Sequence, residues 1–226
     1  MNIVFTAILG ACDSLKLAPK GADRAVVFTD DPAHLEQPNG WDVQFWPKES
    51  WLEADPRREA WRLRCLPHTL FTGFERTIWI DASFTLTNLP RLLRDAAPYD
   101  LSALRHHKRS SCYEEGREIV RVGQAPAGLV NPQLQDYRRA GFMPQGLTIS
   151  CVIVRSNRLP VQTFNVTWNE EIRTYRGDNT QLSVDYAAWK AGLRVHHLTG
   201  VRKDNPYAQH DHADHKKRRK PYAEAV

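Results

Sequence analysis

Short apolar runs and longer amphipathic stretches take turns along this chain. Ile3 to Leu9 is almost wholly apolar and predicts a first strand. Ala25-Val26-Val27-Phe28-Thr29 predicts a second, ending at Asp30-Asp31-Pro32. Trp41 to Trp46 alternates apolar with polar residues, the period of a third strand. Asp55-Pro56-Arg57 has the form of a helix start, an acid able to cap followed by proline; that helix carries Trp61, Leu63 and Leu66 and stops near Pro67. Thr77 to Ile80 predicts the central strand. Asn88 to Leu93 begins a short helix, Leu101 to Leu104 is a strand, and Ser111 to Val122 is a helix with acids early and Arg121 late, matching the dipole. Residues 123–146, with prolines and glycines throughout, predict a loop or mixed insertion with a short helix over Gln133 to Ala140. Ile149 to Arg155 is a strand, Val161 to Thr174 a helix around Trp168, and Asn179 to Gly192 a helix stopped by its glycine. Leu193 to Leu198 is the last strand, and the chain after Gly200 reads as irregular. Strands alternating with helices predict an α/β layered domain with a mainly parallel central sheet flanked by helices.

A length of 226 residues suits one domain, expected over 1–200, with a basic, His-rich tail over 201–226. A hydrophobic content of 42%, including seven Trp, is enough for a sizeable core and argues against wholesale disorder. No apolar run approaches a membrane span. Met1 to Gly10 is apolar but lacks a basic leader, so it reads as a strand, not a signal peptide, and a cytoplasmic location is expected (the host cytoplasm for a phage-encoded chain). Cys12, Cys65, Cys112 and Cys151 form no Cys-x-x-Cys pair, which argues against a zinc ribbon and for free buried thiols.

The charge is unevenly spread. The net +5 gathers in Lys216-Lys217-Arg218-Arg219-Lys220, in Arg105-His106-His107-Lys108-Arg109, and in Arg57, Arg58, Arg62 and Arg64. Such patches suit phosphate-bearing partners, a nucleotide diphosphate or a nucleic-acid backbone, though a charged tail or helix face is often only solvated.

Several clusters carry candidate chemistry. The central strand delivers Asp81 at its end, followed by Ala82 and Ser83; catalytic groups of open α/β sheets sit there, as do plain turn and cap residues. Thr6-Ala7 and Asp30 close the first two strands, where base and ribose meet such sheets. Neither a Gly-x-Gly-x-x-Gly nor a Walker loop is present, which disfavours a Rossmann oxidoreductase or P-loop ATPase. His106 and Glu114 could position an acceptor, and Arg62, Arg64 and Arg109 could hold phosphates. Asp178 either caps the helix that follows, with Gln181 completing a capping box, or aims a carboxylate into a cleft. His196-His197 and the later His210, His212 and His215, interleaved with Asp211 and Asp214, could bind a divalent metal.

Together these segments resemble the small glycosyltransferase-like domains of plant wall-polysaccharide proteins and bacterial surface-glycan clusters. The matching residues are Phe5-Thr6-Ala7-Ile8-x-Gly10-x-x-Asp13, Phe28-Thr29-Asp30, Gly40-Trp41, Arg64-x-x-Pro67-His68 and Ile78-Trp79-Ile80-Asp81-Ala82-Ser83. They continue with His106-x-x-Arg109-x-x-x-Tyr113-Glu114-Glu115, Trp168-x-x-Glu171, and Arg176-x-Asp178 before Gln181-Leu182-Ser183. The resemblance implies a GT-A-like single domain, a nucleotide-sugar (UDP-sugar) donor and Mn²⁺ or Mg²⁺ at a partial Asp-x-Asp motif, with Ser83 in the second Asp's place. In that frame Asp81, Ser83 and His197 are the metal-side residues. Thr6, Ala7, Asp30, Arg62, Arg64, Ala82, Ser83 and Arg109 line the donor, and Asp178, His106 and Glu114 serve the reaction. Gly177 and Asn179-Thr180 interrupt the family's tighter Arg-Asp-Gln-Leu, and His107 stands where proline is common, so the acceptor stays open. A glycan acceptor is expected; phage enzymes that glycosylate hydroxymethylated pyrimidines in DNA share the fold type and offer the alternative. A non-catalytic nucleic-acid binder is a further alternative, without a helix-turn-helix, zinc-finger or RRM signature to support it.

Overall fold

The computed structural model describes residues 1–175 and 179–210. A seven-stranded sheet runs through the molecule. Its strands are β1 (Asn2–Ile8), β2 (Arg24–Thr29), β3 (Asp42–Phe45), β4 (Arg76–Ile80), β6 (Leu101–Arg105), β7 (Thr148–Ser156) and β8 (His196–Leu198), in the order β3-β2-β1-β4-β7-β6-β8. β1 pairs in parallel with β2 and β4, β2 with β3, and β6 with β8. Only β7 runs against its neighbours β4 and β6. The sheet is therefore mainly parallel, and the carboxyl ends of its six like-directed strands share one edge. Two further strands, β5 (Phe84–Leu86) and β9 (Ala208–His210), pair antiparallel beside it.

Helices cover both faces, the layered α/β arrangement that the alternating pattern predicts. α2 (Pro56–Cys65), α3 (Pro67–Leu70), α7 (Leu159–Tyr175) and α8 (Gln181–Lys190) lie on the face lined by Ile3, Phe5, Phe28 and Ile153. α4 (Leu89–Ala96), β5 and β9 cover the face lined by Val4, Ile8, Ile78 and Val152. The alternation of Ile3 and Phe5 with Val4 along β1 serves both cores, as expected of a sheet buried on both sides. α5 (Cys112–Arg121) and α6 (Ala127–Arg139) build a third core with Tyr186 of α8. A one-turn helix, α1 (Ala33–Glu36), completes the set.

The caps behave as their sequence suggests. Asp55 accepts from the backbone N–H groups of Arg57 and Arg58 and starts α2. Asn88 and Ser111 cap α4 and α5 in the same way. Gly10, at φ +67°, carries the turn after β1, where a Cβ would stand 2.9 Å from Pro56; the first turn of α2 thus packs directly on it.

Three expectations are corrected. The insertion over 123–146 contains a helix of 13 residues, beginning after Pro126, not a short one from Gln133. Burial of Val130, Leu134 and Tyr137 against α5 outweighs the hydrogen bond lost at Pro132. The last strand of the main sheet is only His196–Leu198. Residues 201–210 are not irregular: Tyr207 is fully buried and Ala208–His210 forms β9, so the packed domain runs at least to His210. The pairing of β9 with β5 joins segments more than a hundred residues apart and leaves no local trace. All four cysteines are free; Cys65, Cys112 and Cys151 are buried as expected, and Cys12 is exposed.

Candidate active site

Asp81 leaves β4 at the edge where the parallel strands end. Its N–H donates to the Cys151 carbonyl at 2.9 Å, and its carbonyl accepts from Phe84 N–H at 2.9 Å, closing a tight turn over Ala82 and Ser83. The Trp79 indole donates to Oδ1 at 2.7 Å. The side chain keeps 34% of its surface exposed, and Oδ2 carries no hydrogen bond among the described residues. One carboxylate oxygen is fixed by the fold and the other faces outward.

Arg64 stands behind this acid, only 5% exposed. Nη1 lies 3.9 Å from Asp81 Oδ1 and donates to Ser150 Oγ at 3.2 Å, and Nη2 donates to Thr180 Oγ1 at 2.5 Å. Its guanidinium sits over the Trp168 ring at 4.9 Å and near Trp79 at 5.9 Å. A buried cation needs such partners, and this one ties α2, β4, β7 and the start of α8 to one point. His210 arrives across the β5–β9 ladder opposite Phe84, one residue from Ser83, with its ring 4.5 Å from the Phe84 ring.

Other donor-side expectations are placed differently. Thr6 and Ala7 are buried inside β1, and Thr6 Oγ1 has no hydrogen-bond partner among the described residues. Asp30 accepts from Gly10 N–H with both oxygens at 3.0 Å, tying the ends of β1 and β2. Arg62 is engaged by fully buried Glu59, with Nη2 2.6 Å from Oε1. Burial pushes the Glu59 carboxyl up, but hydrogen bonds from Arg62 and the Trp46 indole outweigh it and hold the group below the usual range. Glu59 also receives Leu52 and Glu53 N–H, so Arg62 belongs to a bridge that shapes the 46–59 segment.

The charged side chains of the 106–115 segment bond mainly to one another, while His106 N–H donates to the Leu147 carbonyl at 2.7 Å and the Tyr113 hydroxyl to the Phe142 carbonyl at 2.9 Å. His106 Nδ1 accepts from Lys108 and Arg109 N–H at 3.1 and 2.9 Å. Burial lowers its pKa despite nearby Glu115. Arg109 Nε donates to Glu115, and Glu114 accepts from Ser110 N–H at 2.8 Å and from its hydroxyl at 3.1 Å, which keeps its carboxyl below the usual range. These groups build a turn and a helix start, and none reaches the Asp81 cluster.

His197, expected beside Asp81, instead puts Nε2 3.2 Å from Thr148 Oγ1. Thr148 donates its N–H to Asp185 Oδ2 at 2.9 Å and its hydroxyl to Oδ1 at 2.5 Å. Burial raises the Asp185 carboxyl to about 6, against those two bonds. Sequence reasoning passed over Asp185; its one signal is an acid set between buried Val184 and Tyr186. Asp178, His212, His215, Asp211, Asp214 and the Lys216–Lys220 cations lie outside the described residues. Among the described residues no group of three or more His, Cys, Asp or Glu could hold a metal ion by itself.

The family profile described as TOD1/MUCI70, glycosyltransferase-like domain, matches residues 49–207, well over half of the chain. The chain belongs to this family. No curated protein sequence matches it. Among solved structures, it is 14% identical to the bifunctional glycosyltransferase WbbM over 87% of its own length and 38% of that chain, with TM-score 0.48. The chain thus spans well under half of WbbM. It is 13% identical to the galactosyltransferase LgtC, solved with donor and acceptor sugar analogs, over 88% of its length and 73% of that chain, with TM-score 0.47. It is 11% identical to mouse xyloside xylosyltransferase 1, over 87% and 84%, with TM-score 0.48. As a TOD1/MUCI70 domain the chain is glycosyltransferase-like, and the matched span includes Arg64, Asp81, Ser150 and Thr180. No described helix is long and apolar enough to cross a membrane.

Proposed function

We propose that this domain transfers a sugar from a nucleotide-sugar donor, a UDP-sugar, to a hydroxyl of a glycan acceptor. The observation that carries the reading is the convergence of Arg64, Asp81, Ser150 and Thr180 at the carboxyl edge of the sheet, within the span that matches the family. Donor diphosphates are recognised where positive charge and a metal-side carboxylate meet.

Asp81 is the protein's carboxylate toward a divalent cation, Mn²⁺ or Mg²⁺. The donor set fits a cation bound chiefly through substrate phosphates and water, since such ions commonly take one or two protein carboxylates. When bound, the cation neutralises charge developing on the departing nucleoside diphosphate. Ser83 lies in the turn after Asp81, and Arg64 holds that acid's inner oxygen in a positive field. Asp178, on the approach to α8, serves the acceptor side.

The test is nucleotide release. A panel of UDP-glucose, UDP-galactose and UDP-xylose with Mn²⁺ or Mg²⁺ should yield slow UDP release from at least one donor. The same donor with metal should raise the melting temperature by mass action. Neither release nor stabilisation with any donor would sink the reading and favour a pure binder. Hydroxymethylated DNA is separated from a glycan by salt: a DNA acceptor makes log K fall by about 0.9 per phosphate neutralised for each log unit of salt, and deleting the segment after Asp214 reduces that slope. A glycan leaves transfer nearly indifferent to both.

A further inference from the structure

Asp185, Thr148 and His197 form a polar chain beside the Asp81 cluster that the reading above does not use. Thr148 Oγ1 has one proton, and the 2.5 Å contact gives it to Asp185. The hydroxyl can then only accept from His197, so Nε2 carries the ring proton and the lone pair lies on Nδ1. Burial lowers the His197 pKa, which favours the neutral ring. Nδ1 has no hydrogen-bond partner among the described residues, and the side chain is only half-buried. The ring lies flush on Gly146, where any Cβ would come within 2.5 Å of Cε1.

The location matters as much as the chemistry. Thr148 and Ser150 share a face of β7, and Ser150 Oγ is the anchor of Arg64 behind Asp81. Two residues of strand span about 7 Å, so the two clusters are neighbours along β7. Bonding Asp185 to Thr148 is enough to fasten α8 to β7; it does not require a histidine whose second nitrogen is left open.

We propose that His197 receives the attacking hydroxyl of the acceptor at Nδ1, with Thr148 and Asp185 as positioning residues that fix the ring. This rests on the glycosyltransfer reading. The acceptor class it names is a hydroxyl-bearing sugar, or water when no sugar is present.

The experiment uses UDP release from the same donor panel with water as acceptor. His197→Ala should lower kcat by about tenfold or more, as loss of a positioned hydroxyl does, with the donor KM within about twofold. His197→Gln, whose amide oxygen can accept the same bond, should recover part of the loss and covers the case in which the alanine variant folds poorly. In ¹⁵N spectra His197 should show the Nε2–H tautomer; Thr148→Val should mix the tautomers and lower kcat, and Thr148→Ser should restore both. Unchanged kcat in His197→Ala, a loss confined to donor KM or to melting temperature, or an Nδ1–H tautomer in the parent overturns the proposal alone. No UDP release by the parent from any donor removes the glycosyltransfer reading, and the proposal with it.

Discussion

The Arg64–Asp81 cluster and the 105–115 segment look alike in composition and differ in the reach of their bonds. Both are dense in charge. Around Arg64 the partners are 86 and 116 residues away in sequence, at Ser150 and Thr180. Around the His106 and Arg109 side chains the hydrogen-bond partners lie two to six residues away. A short-range network can form as soon as the local turn forms and stabilises that turn. A long-range one exists only when several elements meet, and it places polar groups where loop closure has already been paid for. Charge density alone does not separate the two; sequence separation does.

The sharpest break of this comparison is Asp81→Asn. The amide can still accept from the Trp79 indole, so the melting temperature should barely move while UDP release is lost by two or more orders of magnitude. Retained release under limiting metal would place the function elsewhere. Arg64→Ala should weaken both properties. It empties the space between Trp79 and Trp168, orphans two hydroxyls, and should destabilise by about 2–4 kcal/mol in denaturant unfolding. Activity per folded molecule should also drop at least about tenfold; full activity would make Arg64 a structural cation only.

On the other side of the comparison, Glu115→Gln should cost about 2 kcal/mol by unfolding. That is less than a fully buried pair would lose, because Arg109 is partly exposed. Its donor kinetics should be unchanged, and a kcat effect would reassign the segment to the site. The smallest effect belongs to Ser111→Ala, a lost N-cap worth about 1 kcal/mol with no kinetic change. Asp185 supplies a pH signature between these extremes. Its folded pKa, about 6, lies above the 3.8 usual for an aspartate carboxyl. The folded state therefore holds the proton more tightly, and stability present below about pH 4 is lost as pH rises through about 6. Asp185→Asn should flatten the melting-temperature profile over that window; an unchanged slope would assign it to another group.

Much of this was legible in the residues themselves. Period-two and apolar runs marked β1, β2, β3, β4, β6 and β7, and Asp55, Asn88 and Ser111 announced their helices, because these signals depend on a residue and its near neighbours. The place of Asp81 at the end of β4 was legible for the same reason. What sequence could not assign was which polar residue meets which. Arg62 and Arg64 sit two positions apart on one helix, so they face different surroundings; one is held by Glu59 within its own segment and the other by Ser150 and Thr180. Thr6 was read as a strand-end group and is buried inside the sheet. Asp185 drew no notice in the sequence, and only the approach of β7 gives it Thr148 as a partner. β5 and β9 find each other only after the chain between them has folded. Local pattern determined the elements and their caps; the partners of each charge were decided by packing, because a buried polar group must be satisfied by whatever the fold brings within reach.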